Sequence, residues 1–166
     1  MTPIRLALTL LFAAPAALAQ DLPAPDADPL LTVSGEIGCT NDGDSAVFDR
    51  AMLESMNPVT IETETIWTDG VQSFTGVPLG EILSAACAEG SAIQATAIND
   101  YAVEIPRADW EREGPVVAYL NNGEPMSVRD KGPLWIVYPY DSEPEFQSEV
   151  TYSRSIWQLD RIVVTE

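Results

Sequence analysis

Turn and stop signals cut this chain into short pieces, and that limits its fold more than any other feature. They fall at Gly38, Pro58, Asp69-Gly70, Gly90, Asn99-Asp100, Asn122-Gly123, Pro133 and Pro139. Each such residue or pair favours a reversal or ends a regular element. The segments between them have strand length. Leu31 to Ile37 alternates and predicts a strand ending near Gly38. Val59 to Trp67 is rich in Thr and Ile, and its Glu62 and Glu64 predict one wet face. Ile93 to Ile98, Tyr101 to Ile105, Val116 to Leu120, Leu134 to Tyr138 and Leu159 to Val164 read as further strands. Asn122-Gly123 is a hairpin signal of the type that needs positive φ at both turn positions.

Helical signals are fewer and shorter. Asp49 predicts an N-cap for a helix reaching about Met56, with Phe48 and Leu53 as a hydrophobic staple around it. Pro78 suits the first position of a second helix. Leu79, Ile82, Leu83 and Ala86 recur there at helical spacing, and Gly90 is the expected stop. Pro106 starts a short helix carrying Trp110, and Tyr152 to Trp157 reads as a helical turn or irregular chain. Strands outnumber helices and the two follow no regular β-α-β rhythm. The expectation is an α+β fold with a mixed β-sheet and a few short helices.

The start of the chain predicts export. Met1 to Arg5 is short and positively charged, Leu6 to Phe12 begins an apolar run, and Ala17-Leu18-Ala19 closes it with a small-x-small pattern. That is the layout of a cleaved signal over 1–19, which places the mature protein in the periplasm. The run is shorter than the roughly 20 residues a membrane span needs, so no stable membrane insertion is expected. Residues 20–29, rich in Pro, Asp and Ala, read as a flexible leader, and 30–166 as one domain. A domain of that size buries about two-thirds of its unfolded surface and folds without a metal.

Composition removes whole classes of function. Acidic residues outnumber basic ones 26 to 8, the formal net charge is −18, and Lys131 is the only lysine. No basic stripe is available for nucleic acid. The chain contains no histidine, which excludes Ser-His-Asp and Cys-His catalysis and His-ligated zinc. Any catalysis would fall to carboxylates, Tyr, Arg or a cofactor. The close pair Glu62 and Glu64 could in principle act as acid and base, although a solvated strand face explains them as well. The two cysteines, Cys39 and Cys87, either form a disulfide in an oxidising compartment or sit as two buried thiols acting as small hydrophobes.

Several patterns occur in a specific order. Phe74-x-Gly76-Val77-x-Leu79-x-x-Ile82-Leu83 is followed by Asn99-Asp100-Tyr101 and Ile105-Pro106. Then come Asn121-Asn122-Gly123-Glu124-Pro125-Met126, Gly132-Pro133-Leu134-Trp135-Ile136-Val137-Tyr138-Pro139, and Ile156-Trp157-Gln158-Leu159. Together these resemble the oxidoreductase molybdopterin-binding domain, the cofactor-binding fold of sulfite oxidase, over nearly all of the mature chain.

The departures from that family bear on function. Its enzymes hold molybdenum through a cysteine on the segment preceding the Gly-Val-x-Leu element. Here that segment is Thr60 to Gly70, with Thr63, Thr65 and Trp67 and no cysteine. A threonine hydroxyl does not replace a soft thiolate. The family's enzymes also grip the cofactor phosphate with Arg, His and Lys, where this chain offers Arg154 and an acidic surface. Cys39 precedes the first helix, in the wrong element for a metal ligand. No metal and no molybdenum cofactor are therefore expected. Short exported chains that resemble this one and lack the cysteine include pterin-binding regulators, which work with an inner-membrane receptor of the cyclic di-GMP type.

A pterin pocket needs aromatic faces and a carboxylate or amide against the ring edge. Trp67, Tyr101, Tyr138, Tyr140 and Trp157 are candidates for the faces. Asn99 and Asp100 are candidates for the edge, with Arg154 and Asp69 behind them. Trp135, inside an apolar strand, is expected to be core, and Trp110 to pack a short helix on the sheet. Three functions stay open at this point. They are a periplasmic, non-catalytic pterin-binding protein that signals through a membrane receptor, a molybdenum-cofactor oxidoreductase with unusual ligands, and an interaction module without a small ligand.

Overall fold

A computed structural model describes residues 22–112 and 114–166. The expected signal segment and the first two residues of the leader lie outside these. In chain order the elements are β1 (Leu31–Gly35), β2 (Ala46–Phe48), α1 (Arg50–Ser55), β3 (Val59–Glu64), β4 (Val71–Pro78), α2 (Leu79–Ala85), β5 (Ala92–Ala97) and β6 (Ala102–Pro106). There follow α3 (Arg107–Trp110), β7 (Val116–Asn121), β8 (Glu124–Pro125), a 3-10 turn at Val128–Asp130, β9 (Trp135–Val137), a 3-10 turn at Pro144–Phe146, α4 (Glu149–Arg154) and β10 (Leu159–Thr165). Among the described residues no helix is long and apolar enough to cross a membrane.

The strands form two sheets. The first runs β2-β1-β10-β5-β6 and is mixed, because β1 lies parallel to β10 while the other pairs are antiparallel. The second runs β3-β4-β7-β8, with β9 also pairing β7, and is antiparallel throughout. The segment entering β10 stitches the sheets together. Ile136 N–H donates to Ile156 O at 2.9 Å and Leu159 N–H to Leu134 O at 3.0 Å, and Trp135 bridges Trp157. Phe74, Trp135, Leu79, Ile82, Ile93, Ile105 and Ile162 are buried in the common core.

The sequence pattern and the chain diverge at identifiable places. β2 is three residues long, too short to show an alternation. β4 continues straight from the Gly70 turn to Pro78. Pro78 itself is the N-cap of α2 rather than its first helical residue. That helix is stopped by Cys87, at φ +52, and not by Gly90. Gly76 is required by close packing: a Cβ there would sit 2.1 Å from Val117 O on β7. The Gly-Val-x-Leu pattern thus records where two strands approach at a register shift.

Asp49 caps α1 as expected, accepting Met52 N–H at 2.8 Å. Its second oxygen takes the amides of Asp26 and Ala27, at 2.8 and 3.0 Å. Asn41 Nδ2 donates to Pro23 O at 2.7 Å, and Leu22 packs on the core. Over its described part, the Pro/Asp/Ala segment is tied along the domain.

Cys39 and Cys87 are joined in a disulfide, with Cα atoms 5.2 Å apart. The bond ties the loop after β1 to the end of α2. Between the two readings the sequence left open, the structure has the paired one.

Candidate functional site

The site is built around Trp67, in the segment where the resembling enzymes carry their metal-binding cysteine. β3 ends at Glu64, and the chain turns on a hydroxyl network. Thr65 Oγ1 and Thr68 Oγ1 share a hydrogen bond of 2.7 Å, and Trp67 N–H donates to Thr65 Oγ1 at 3.1 Å. Such side-chain-to-backbone bonds replace a strand ladder with a defined turn. This one leaves Trp67 half-buried at the hub of an aromatic cluster. Its ring lies 5.8 Å from Trp135, 5.9 Å from Tyr152, 5.6 Å from Trp157 and 6.3 Å from Tyr140, edge to face in every case.

Three other segments close around it. The hairpin between β5 and β6 brings Asn99 and Tyr101. Asp100, at φ +67, makes the left-handed residue of the turn, and Asn99 Oδ1 accepts Tyr101 N–H at 3.2 Å. Ser148 caps α4 by accepting Thr151 N–H at 3.2 Å, which sets the phase that presents Tyr152 and Ser153. The segment after α4 supplies Ser155, Ile156 and Trp157. Tyr140 Oη donates to Ser155 Oγ at 2.5 Å, which in turn donates to Thr151 O at 2.8 Å.

These segments enclose a cavity of about 250 Å³ lined by Trp67, Asn99, Tyr101, Tyr152, Ser153 and Trp157, with Ala97, Ser155 and Ile156. Ligand cavities for drug-sized molecules run from about 300 to 1,000 Å³, so this one suits a small flat ring system. Among the described residues no charged side chain lines it.

Of the candidates read from the sequence, Trp67, Asn99, Tyr101 and Trp157 meet at the cavity. Asp100, Tyr138 and Arg154 do not. Asp100 is exposed on the outer side of the turn and pairs with Arg161. Tyr138 is buried, since it follows β9 into the core, and its Oη donates to Asp109 Oδ2 at 2.8 Å. Burial, with the Asp109 carboxylate beside it, pushes the Tyr138 hydroxyl far above its usual range. Arg154 binds that same Asp109 oxygen at 3.1 Å and is spent there. Tyr140 stands behind Trp67 as part of the cluster, its hydroxyl pushed up to about 12 by burial. Asp69 lies exposed in the turn beyond the cavity. Trp135 is core, as expected, and Trp110 packs against the core from α3. Tyr152 and Ser153 were missed. Their signal was the Ser148 cap, which fixes α4 and therefore the direction of both side chains.

The residues present do not fit a molybdenum cofactor. Among the described residues both cysteines are bonded to each other, and neither lines the cavity. Thr63 and Thr65 spend their hydroxyls on Asp141 and Thr68. Among the described residues no cationic side chain lines the cavity to hold a phosphate.

No protein-family profile matches the sequence, and a search of curated proteins finds no match. A solved structure does. The fold is similar to that of the sulfane dehydrogenase SoxCD from Paracoccus pantotrophus, with a TM-score of 0.59 and 18% sequence identity. The match covers 81% of this chain and 37% of that one. At that identity the likeness is one of architecture, and the fold of this chain is an α+β fold of the sulfite-oxidase type.

Proposed function

We propose that this chain is an exported, non-catalytic binding protein for a small flat heteroaromatic ring of the pterin class, and that it signals through a membrane receptor of the cyclic di-GMP type. The observation that carries the reading is the uncharged cavity walled by Trp67, Tyr101, Tyr152 and Trp157. Aromatic faces recognise a flat ring by stacking. The Asn99 amide and the Ser153 hydroxyl offer hydrogen bonds to its polar edge. A neutral ring enters such a site without the desolvation cost that a phosphorylated cofactor would meet.

The disulfide supports an oxidising compartment, in keeping with export. Tyr101 and Trp157 leave 56% and 38% of their surface exposed at the mouth, and Ile98 beside them is also exposed. Exposed apolar surface at a ligand mouth suits a partner that docks there.

The test is a tryptophan-fluorescence titration with an oxidised pterin and with its tetrahydro form. Quenching and a raised melting temperature are the expected results, since ligand at 100 times its Kd adds about 2.7 kcal/mol to stability. Stoichiometric molybdenum in protein made by a cofactor-competent host would overturn the reading in favour of an enzyme. An unchanged melting temperature with every pterin tried would overturn it in favour of an interaction module.

A further inference from the structure

The second large concavity is an open groove of about 1250 Å³, and it shares no lining residue with the aromatic cavity. Its lip is β3, which among the described residues has one neighbour, β4, and so presents an open edge. The edge direction is fixed by one bond. Glu64 N–H points away from β4 and donates to Asp141 Oδ2 at 2.7 Å. Strand geometry repeats every two residues, so the N–H and C=O of Glu62 and Thr60 point the same way. Among the described residues no strand or loop takes them up. Asp141 closes the far end of the edge, which leaves the stretch from Val59 to Thr63 to receive a strand.

The side chains and charges on this edge select the occupant. Val59 and Ile61 face the groove, whose opposite wall includes Ser84 of α2 and Trp110 of α3. A strand laid along β3 would therefore drop alternate side chains into the trough, onto Val59, Ile61 and Trp110. Glu62 and Glu64 are exposed on the other face of β3. The groove's arginines are already engaged, Arg107 by Glu111 at 2.7 Å and Arg112 by Glu145 at 2.6 Å. Glu62, Glu64 and Glu81 form no ion pair among the described residues. A second copy of the chain is disfavoured here. Antiparallel pairing of two β3 edges about Glu62 sets Glu62 against Glu62, and like charges directly opposite are destabilising.

We infer that the open edge of β3 and the groove beside it bind an extended peptide segment of alternating apolar and basic residues by strand addition. Main-chain bonds to Thr60 and Glu62 supply affinity, and the trough and the glutamates supply specificity.

The experiment uses the full chain and an acetylated, amidated hexapeptide of alternating lysine and valine. Amide hydrogen exchange followed by NMR is expected to slow several-fold at Thr60 and Glu62, with the effect fading as salt is raised. Equal binding of the glutamate–valine analogue, or protection elsewhere with none on β3, overturns the inference. So does protection of the same amides without peptide in a sample that sediments as a dimer, which assigns the edge to a second copy. Glu62→Pro removes an outward donor and leaves the β4 ladder intact, because proline is tolerated where the N–H faces solvent. It is expected to abolish peptide binding with an unchanged near-ultraviolet circular dichroism spectrum, and retained binding overturns the inference. The exchange measurement on the unmodified chain stands whether or not that variant folds.

Discussion

The Trp67 and Trp157 rings meet edge to face, with centroids 5.6 Å apart and planes inclined by 77°. One comes from the turn after β3 and the other from the approach to β10, so the contact joins two distant parts of the chain at the wall of the cavity. Trp157 keeps 38% of its surface exposed, whereas Trp135 behind it keeps 1%. The two tryptophans should therefore separate binding from folding. Trp157→Ala is expected to weaken pterin binding by about 1–3 kcal/mol, the scale of stacking a flat base on an aromatic side chain, with a small change in melting temperature. Trp135→Ala is expected to cost about 3–5 kcal/mol of stability. Asp100→Ala, outside the lining, should leave affinity unchanged. Fluorescence titration and thermal melts of the three variants check this.

The disulfide makes a second prediction. Cys39 and Cys87 are 48 residues apart in sequence. In the chain-entropy account, a loop of that length contributes about 4 kcal/mol by restricting the unfolded chain. Cys39→Ser with Cys87→Ser should lower the urea midpoint accordingly, with the m-value rising as the denatured state opens. Ligand affinity should be retained in the folded fraction, because neither residue touches the cavity. Urea unfolding with and without reductant checks the same quantity on the unmodified protein.

How far the sequence could be read depended on the range of the interaction. The Asp49 cap, the Asn122-Gly123 turn and most strands were legible because each is fixed by neighbours within a few residues. The division into two sheets was not, since it depends on β1 lying beside β10 across more than a hundred positions. The site divides the same way. Trp67, Asn99, Tyr101 and Trp157 stood out as aromatic or turn residues in polar surroundings. Asp100 and Arg154 carried equally suitable chemistry, but Arg161 and Asp109, distant in sequence, claim them. Tyr138 looked like a wall of the pocket and is core, because β9 runs inward between β7 and the segment at Trp157.

Asp49 joins the leader to the domain, and this gives an acid-sensitive prediction. Its carboxylate accepts N–H from Met52, Ala27 and Asp26, and these bonds, Met52 foremost, hold its pKa below the usual carboxylate value. A lowered folded-state pKa means stability that is present above the unfolded value and lost as pH falls through the folded one. Acidification should therefore release the segment before Leu31. Limited proteolysis is expected to cut within 22–30 faster at low pH, using an acid-active protease and an exposed-peptide control. Asp49→Ala should show fast cutting already at neutral pH. Equal rates for both proteins at neutral pH would count against the latch.

The buried tyrosines set the alkaline limit. Tyr138 and Tyr140 both have raised pKa values, foremost because burial disfavours the phenolate, and Tyr140 reaches about 12 against an ordinary value of 10.0. For an acid whose folded pKa is raised, the stabilisation is complete below the unfolded value and is lost as pH rises through the folded one. The fold should therefore hold to about pH 10, weaken above it, and release the two phenolates together with unfolding. Absorbance titration at the tyrosinate band is expected to show a steep step that coincides with loss of near-ultraviolet circular dichroism. Tyr140→Phe removes the bond to Ser155 and leaves that oxygen still donating to Thr151, so the expected cost is about 0.5–1.5 kcal/mol. Tyr138→Phe takes a donor away from a carboxylate, and the expected cost is larger, about 1.5–3 kcal/mol. In both variants the steep step should shrink by one tyrosine. A step of unchanged size would mean that the residue replaced had been ionising freely in the folded protein.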